Sequence, residues 1–128
     1  MPPDAQLWIM VDIETSGPVI GTHSMTELGA AVGSKKEGAD PKEAMTRFAS
    51  WSAPLLQKKA LFVARPSAFD WPWIVWYAWT FLGENPFGFK AVCASSWFQA
   101  RGKRFEVELP HVAAEDAEIQ IKHFFAEA

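Results

Sequence analysis

The chain has 128 residues, of which 49% are hydrophobic and 21% are charged, so we expect one folded domain over residues 1–128 and exclude a disordered chain. Twelve basic and 15 acidic residues give a net charge of −3, which argues against a protein that binds long duplex nucleic acid through many phosphates. The single cysteine excludes an internal disulfide and a cysteine-based zinc site, and it fits the reducing cytoplasm.

The sequence gives no indication of a membrane protein. Its first residues, "MPPDAQLW", contain neither a basic region nor a following apolar run, so we predict no signal peptide. The longest uncharged apolar run, "WPWIVWYAWTFLG" at 71–83, has 13 residues, whereas a membrane span needs about 20. We therefore expect a cytoplasmic protein without a membrane partner.

Two strands are predicted at the start of the chain. Residues 7–13, "LWIMVDI", are almost continuously apolar, which is typical of a central strand covered on both faces. A loop rich in Gly, Pro and Ser, "TSGPVIGTHS", leads to a second predicted strand at 25–33, where Gly33 opens a turn.

The first helix is predicted by its capping residues. Asp40 can cap it, Pro41 suits its first position, and Glu43 follows the cap by three residues. We expect Pro54 to end this helix near residue 53. One face of the helix carries the small and apolar residues Ala44, Met45, Phe48, Ala49 and Ser52.

The second half of the chain predicts further strands that alternate with helices. We expect a strand at 60–66, a helix at 70–82, a strand running into a short helix at 89–98, and a basic loop with some strand character at 101–110. A last helix starts near Ala113. Its inner face carries Ala117, Ile121, Phe124 and Phe125. This alternation favours an α/β fold with a partly parallel sheet.

Asp12 and Glu14 lie two residues apart at the end of the first strand, so both side chains leave the same face. Two close carboxylates repel each other and lose hydration unless a cation lies between them. Magnesium or manganese is the usual partner, because hard cations prefer oxygen ligands. Two solvated charges at a strand end explain the pair equally well.

Three further residues carry weaker signals when each is taken alone. Asp70 lies at the start of a predicted helix, where an aspartate is more often an N-cap than a metal ligand. His111 precedes the last helix and Asp116 lies in its first turns. Their spacing by itself indicates catalysis only weakly.

Taken together, these segments resemble a known family. "DIETSG" at 12–17 resembles the first motif of the DEDD-type 3′–5′ exonucleases, and "AFD" at 68–70 is similar to the second. "HVAAEDA" at 111–117 resembles H-x-A-x-x-D-A, the third motif of the histidine-bearing (DEDDh) branch. That branch includes ribonuclease T, oligoribonuclease and the proofreading subunit of DNA polymerase III. "TELGAAV" at 26–32 resembles the family's second strand.

The resemblance implies a ribonuclease H-like fold, an α/β domain with a mixed central sheet flanked by helices. Relatives build a third, antiparallel edge strand after the second strand. In this chain "GSKKEGAD" leads directly from that strand to the first helix, so we expect the edge strand to be missing. The segment before Asp70, "ARPSAFD", and the stretch "VCASSW" also depart from the family pattern. These departures bear on substrate binding more than on metal binding.

The resemblance also implies a two-metal hydrolase. Matched position by position, Asp12, Glu14, Asp70 and Asp116 would hold two Mg²⁺ or Mn²⁺ ions that stabilise the attacking and departing oxygens. His111 would be the general base, a task that suits a histidine near neutral pH. The expected reaction releases 5′-mononucleotides from the 3′ end of single-stranded DNA or short RNA.

Predicted substrate contacts follow the same resemblance less closely. For Leu28, packing in the core is as good an interpretation as contact with substrate. For the basic residues at 101–104, a solvated loop is a simpler interpretation than substrate binding. Six residues are predicted to bind substrate: Thr15, Ser16, Leu28, Phe69, Arg101 and Arg104.

Aromatic residues crowd the second predicted helix so densely that no single face can hold them all. They are Trp71, Trp73, Trp76, Tyr77 and Trp79. We predict that the exposed ones form a homodimer contact, with base stacking as the alternative.

Two other functional hypotheses remain open at the level of sequence. One is a nucleic-acid-binding or assembly module on an exonuclease fold with little or no catalysis, which the short chain and the tryptophan content favour. The other is an α/β domain whose acidic residues are unrelated to one another.

Overall fold

The computed structural model describes residues 8–31 and 40–127, apart from the side chains of residues 31, 125 and 127. Within these residues, four strands form one mixed sheet in the order β2-β1-β3-β4, with helices on both faces, as expected for the predicted α/β, ribonuclease H-like fold. The strands are β1 (Trp8–Thr15), β2 (Met25–Ala31), β3 (Leu61–Ala64) and β4 (Ala91–Cys93). The helices are α1 (Pro41–Gln57), α2 (Ser67–Tyr77), α3 (Ala94–Gln99) and α4 (Ala113–Glu127).

Strand directions bring the chemically interesting residues to one edge of the sheet. β1 pairs parallel to β3, and β3 pairs parallel to β4, whereas β2 runs antiparallel to β1. The carboxyl ends of β1, β3 and β4 therefore lie side by side. In open α/β sheets this edge is where ligands usually bind.

Side chains of β1 alternate between two hydrophobic cores, so the strand is buried on both faces as its apolar sequence predicts. Ile9, Val11 and Ile13 pack into the larger core, beneath α1 and α2. Trp8 and Met10 pack into the smaller core, beneath α3 and α4. Asp12 continues the second set and therefore points toward α4.

Helix α1 begins as its capping residues predict but ends later than expected. The Asp40 side chain accepts hydrogen bonds from the amides of Lys42 and Glu43, at 3.0 and 3.2 Å. The prediction that Pro54 ends the helix is wrong, because α1 continues through Pro54 to Gln57. A proline removes one helical hydrogen bond. The next two residues, both leucines, pack against the larger core and offset that loss. Met45, Phe48 and Ser52 are buried as predicted.

Helix α2 starts three residues earlier than predicted, at Ser67. Asp70 is therefore in the first turn of the helix and does not cap it; Pro66 occupies the cap position. The helix continues into a π-helical turn, Ala78–Leu82, and Gly83 ends it in the left-handed conformation with φ of 73°. The predicted end of this element at residue 82 is confirmed.

The remaining elements differ from prediction at β3, which spans Leu61–Ala64 and not 60–66, and in the loop at 101–110. β4 leads directly into α3, and α4 begins at Ala113, as predicted. Residues 101–110 contain no strand, so their predicted strand character is wrong. Arg65 donates to the carbonyl of Phe105 at 2.8 Å, and this bond and the burial of the Phe105 ring hold the loop in place without strand pairing. Ala117 and Phe124 are buried in the smaller core as predicted.

The segment in which an additional edge strand would lie, 32–39, is outside the described residues. Within the described part of the chain, β2 is paired only on its β1 side. No helix in this part of the chain is both long and apolar enough to cross a membrane.

Candidate active site

The first half of the site lies on neighbouring positions of β1 and β2. Asp12 pairs with Gly29 and Glu14 pairs with Glu27 across the antiparallel ladder. Cross-strand partners point to the same face of a sheet. The face that carries Asp12 therefore also carries two glutamates, Glu14 and Glu27, directly opposite each other. The ladder becomes irregular immediately afterwards, because Thr15 pairs with Met25.

Gly29 allows the start of α4 to lie directly on β2. A β-carbon at this position would overlap the backbone of Ala113 and Ala114. The contact is supported by Glu27, whose Oε1 accepts a hydrogen bond from the Ala113 amide at 3.3 Å. This bond satisfies one of the amides that a helix leaves unpaired at its N-terminus. Gly29 and Glu27 together set the position of α4 over the carboxyl end of β1.

Helix α4 supplies Asp116 and fixes His111. Asp116 is buried, and its Oδ1 accepts a hydrogen bond from the backbone amide of His111 at 3.1 Å. His111 adopts a left-handed conformation with φ of 62°, which is uncommon for a residue other than glycine. The bend turns the chain just before the helix and leaves the His111 side chain exposed to solvent.

Asp70 reaches the same place from the other side of the sheet edge. Its Oδ2 accepts a hydrogen bond from the backbone amide of Ile13 at 3.1 Å. Ile13 lies between Asp12 and Glu14, so this bond ties the first turn of α2 to the carboxyl end of β1. Asp70 is buried.

Gln120 is a member of the site that the sequence interpretation missed. Its Nε2 donates a hydrogen bond to Oδ1 of Asp12 at 3.1 Å, and both side chains are buried. Gln120 follows Asp116 by four residues, which places the two on one face of α4. A polar residue on the buried face of a helix was the available signal. Glu27 and Gly29 were also missed, although a glycine inside a strand often marks a close approach of another backbone.

Burial and mutual repulsion raise the pKa values of the carboxyl groups. Burial raises the pKa of Asp12 to about 8, and the nearby Asp70 adds to the effect, while the bond from Gln120 opposes it. Burial raises the pKa of Asp70 to about 7, against the opposing effect of the Ile13 amide. Burial and then Asp116 raise the pKa of Glu14. Without a cation, Asp12 therefore favours its protonated form at neutral pH.

The donor atoms fit a divalent cation. Glu14, His111 and Asp116 each offer one ligand atom, and these atoms all lie within 4.8 Å of one another. Oδ2 of Asp12 is buried and has no hydrogen-bond partner among residues 8–31 and 40–127. Buried oxygen atoms of this kind are the ligands that Mg²⁺ and Mn²⁺ prefer. The four predicted acidic residues and His111 thus gather at one place, although their roles stay predictions.

Two predicted substrate residues, Thr15 and Ser16, open a compact loop next to Glu14. Thr15 Oγ1 donates to the carbonyl of Gly17 at 2.9 Å, and Ser16 exchanges hydrogen bonds with the backbone of Ser24 at 2.8 and 2.9 Å. These bonds fold the loop against the end of β1. Both residues therefore adjoin the carboxylates, and substrate binding by them stays a prediction.

The other predicted substrate residues are placed less uniformly. Phe69 is exposed beside Asp70, whereas Leu28 is partly buried and packs against the larger core. Arg101 stacks on the Trp97 ring, 3.9 Å from its centroid. That ring packs near Trp8, at the amino end of β1, so the structure does not bring Arg101 to the carboxylates. Arg104 is exposed and lies 3.5 Å from a neighbouring glutamate.

Comparison with known proteins identifies a relative. No family model matches the chain. The chain is similar to a protein of Escherichia coli named 3′-5′ DNA exonuclease Cap18, with 30% identity. The alignment covers 74% of this chain and 69% of the relative.

Proposed function

The chain belongs to the family of 3′–5′ exonucleases, and we propose that it is an active, divalent-metal-dependent member of that family, of the DEDDh type. In this proposal it hydrolyses phosphodiester bonds at the 3′ end of single-stranded DNA or short RNA and releases 5′-mononucleotides. The name of its relative refers to DNA, so DNA is the first substrate to test.

One observation carries the proposal. Asp12, Asp70 and Asp116 are buried at the carboxyl edge of one sheet, and Glu14 lies beside them. Burying carboxylates together is costly unless a cation or protons neutralise them. Within the described part of the chain no group donates a hydrogen bond to Oδ2 of Asp12, so protein hydrogen bonds from these residues do not compensate its charge. A cation-binding role explains why the fold tolerates such a cluster.

We assign the residues separate tasks. Asp12, Glu14, Asp70 and Asp116 would hold Mg²⁺ or Mn²⁺, two ions in our proposal. When bound, such ions stabilise the charge that develops on the phosphate and on the oxygens of the bond being made and broken.

His111 would accept the proton of the attacking water. Its imidazole is exposed and so open to the substrate side, while the bond from its own amide to Asp116 holds its backbone beside the carboxylates. A neutral imidazole can take up a proton from a water molecule, which is the usual role of a histidine as a general base. Thr15 and Ser16, in the loop after Glu14, would contact the terminal nucleotide.

We further propose that the chain forms a homodimer through exposed aromatic residues. Trp79 is 52% exposed and Trp76 is 39% exposed, and both lie on α2 or its π-helical turn. Aromatic side chains of this kind are enriched at protein interfaces. Base stacking is the other use of such side chains.

We place the protein in the cytoplasm, since its one cysteine is a free thiol.

The decisive experiment compares the wild-type protein with Asp12→Ala. Each is incubated with a single-stranded DNA oligonucleotide labelled at its 3′ end, with Mg²⁺, with Mn²⁺ or with EDTA. We expect the wild-type protein to release labelled mononucleotide only with a metal ion, and Asp12→Ala to release at least a hundredfold less. A circular single strand should stay intact, because it has no 3′ end.

Glu118→Ala is the matched control, because Glu118 is an exposed carboxylate on the same helix as Asp116. It should retain wild-type activity. Intact oligonucleotides after incubation with the wild-type protein at millimolar Mn²⁺ would contradict the proposal. Binding of the oligonucleotide without cleavage would instead favour a nucleic-acid-binding module.

A further inference from the structure

The buried amide of Gln120 contacts the carboxylate of Asp12, whose Oδ2 is buried and has no hydrogen-bond partner among the described residues. We propose that Gln120 is a positioning residue, which holds Oδ1 of Asp12 so that Oδ2 is presented to the divalent cation. The inference rests on the proposed function, because it concerns the cation that the proposed reaction needs.

The geometry carries the first step of the argument. The side chain of Gln120 is 1% exposed, and its Nε2 lies 3.1 Å from Oδ1 of Asp12. Oδ2 of the same carboxylate is buried, and no described residue donates a hydrogen bond to it. A carboxyl group with one oxygen anchored cannot exchange its two oxygens by rotation without breaking that bond. The anchored group therefore keeps Oδ2 in one place.

The direction of the hydrogen bond follows from the chemistry of the two groups. When a cation is bound, Asp12 is ionised and only accepts hydrogen bonds, so the amide must turn its NH₂ group toward it. This orientation leaves Oε1 of Gln120 buried and without a partner among the described protein atoms. A buried unsatisfied oxygen is costly. The hydrogen bond from Nε2 to Asp12 is thus formed although Oε1 of the same amide lacks a partner among the described residues.

Charge explains why an amide suits this position. A lysine or arginine would also hold Oδ1, but its positive charge would neutralise Asp12 and repel a cation. The neutral amide holds Oδ1 and leaves the negative charge of Asp12 available to a cation. Partners that orient metal ligands in this way commonly affect metal affinity by about 10- to 100-fold.

The test measures the affinity for Mn²⁺ in the absence of nucleic acid. The wild-type protein, Gln120→Met and Gln99→Met are titrated with MnCl₂ at pH 7.5, and free Mn²⁺ is followed by electron paramagnetic resonance. Methionine has nearly the same length as glutamine but offers no donor. We expect Gln120→Met to bind Mn²⁺ at least tenfold more weakly. Gln99→Met makes the same chemical change at an exposed position on α3 and should bind like the wild type.

A double-mutant cycle separates positioning from general destabilisation. In an Asp12→Asn background, Gln120→Met should cause no further loss of Mn²⁺ affinity, because the group that Gln120 orients is already changed. An equal loss in both backgrounds would overturn the proposal, and so would wild-type affinity in Gln120→Met. If circular dichroism shows that Gln120→Met does not fold, Gln120→Asn replaces it, since its amide is one methylene too short to reach Oδ1.

The outcomes also distinguish this inference from the proposed function. A protein that binds Mn²⁺ through Gln120 and Asp12 but cleaves no oligonucleotide would support positioning and contradict the exonuclease. An active exonuclease whose Mn²⁺ affinity does not change in Gln120→Met would do the reverse. A wild-type protein that binds no Mn²⁺ would overturn both.

Discussion

Among single residues, Asp12 and Asp70 show how burial alters ordinary side-chain chemistry. Both carboxyl groups have a raised pKa, about 8 for Asp12 and about 7 for Asp70, compared with 3.8 for an unperturbed aspartate. In the absence of a cation the folded protein therefore holds protons that the unfolded chain has already released. The stability of the folded state must depend on pH for this reason.

The sign of this dependence gives a prediction. A raised pKa contributes stability that is complete below the unfolded pKa, near 4, and that is lost as the pH rises through the folded pKa values, near 7 and 8. We expect the midpoint temperature of thermal unfolding, measured in EDTA, to decrease as the pH is raised from 5 to 8.5. Differential scanning calorimetry measures it. Addition of Mg²⁺ should raise the midpoint more at pH 8.5 than at pH 5.

Asp12→Asn provides the control for this dependence, because it removes one buried charge without changing the size of the side chain. The variant should lose less stability than the wild-type protein as the pH rises in EDTA. A flat midpoint in the wild-type protein from pH 5 to pH 8.5 would contradict the assignment of protonated carboxyl groups to the cation-free site.

His111 gives a second prediction at this scale, since its ring is close enough to Glu14 and Asp116 to serve as a metal ligand. As a general base it should matter for catalysis and little for metal binding. We expect His111→Ala to reduce the rate of hydrolysis by about 10²- to 10⁴-fold. The stabilisation of the His111→Ala variant by Mg²⁺, measured as a shift in unfolding temperature, should stay near that of the wild-type protein. A loss of that stabilisation would make His111 a ligand instead.

Among the elements, the contact between β2 and α4 determines whether the two halves of the site meet. Gly29 lets the helix start lie against the strand, and Glu27 binds the first amide of the helix. Asp116 and Gln120 then reach β1 from consecutive turns of α4. The site thus depends on a backbone contact as much as on its acidic side chains.

Replacement of Gly29 by alanine tests this dependence. The added methyl group would overlap backbone atoms of Ala113 and Ala114, which cannot rotate away as a side chain can. We expect Gly29→Ala to destabilise the fold by about 1–3 kcal/mol, the usual cost of overpacking. We also expect its activity to fall at least tenfold at a temperature where it stays folded. Chemical denaturation and the oligonucleotide assay measure the two effects.

Gly88→Ala is a useful comparison, because an added β-carbon there meets no other atom. Gly88 has a φ of 77°, so that variant carries backbone strain without a clash. It should lose stability but keep its activity when folded. Equal loss of activity in both variants would argue against a special role for the β2–α4 contact.

Element-level patterns were predictable where the local sequence determines them. The apolar run of β1, the cap at Asp40 and the start of α4 follow from neighbouring residues and were predicted correctly. The continuation of α1 through Pro54 was not predicted, because packing of the residues after Pro54 outweighs the tendency of a proline to end a helix. The contact between Asp12 and Gln120, which lie 108 residues apart, depends on tertiary packing that no local pattern encodes.

Across the whole molecule, most of the aromatic residues are used in the two cores, and a few are left on the surface. Trp71 and Trp73 are buried, whereas Trp76 and Trp79 are partly exposed. The crowded second helix therefore divides its aromatic residues between core and solvent, as its sequence suggests. The exposed pair is the candidate for self-association.

Sedimentation velocity tests this use of the surface. We expect the wild-type protein to sediment as a dimer at micromolar concentration and Trp79→Glu to sediment as a monomer, because a buried unpaired charge opposes association. Phe89→Glu is the comparison, since Phe89 is 81% exposed and lies outside α2 and its π-helical turn. A monomeric wild-type protein would contradict the homodimer and favour base stacking with single-stranded nucleic acid as the role of these side chains.

The hydrogen bond from the Ile13 amide to Asp70 has a practical consequence. The amide lies between two proposed metal ligands on β1 and donates to a third on α2. Its ¹H–¹⁵N resonance should therefore respond when the charge on Asp70 changes, whether by loss of a proton or by arrival of a cation. The backbone thus contains its own spectroscopic reporter, one that needs no chemical modification of the site.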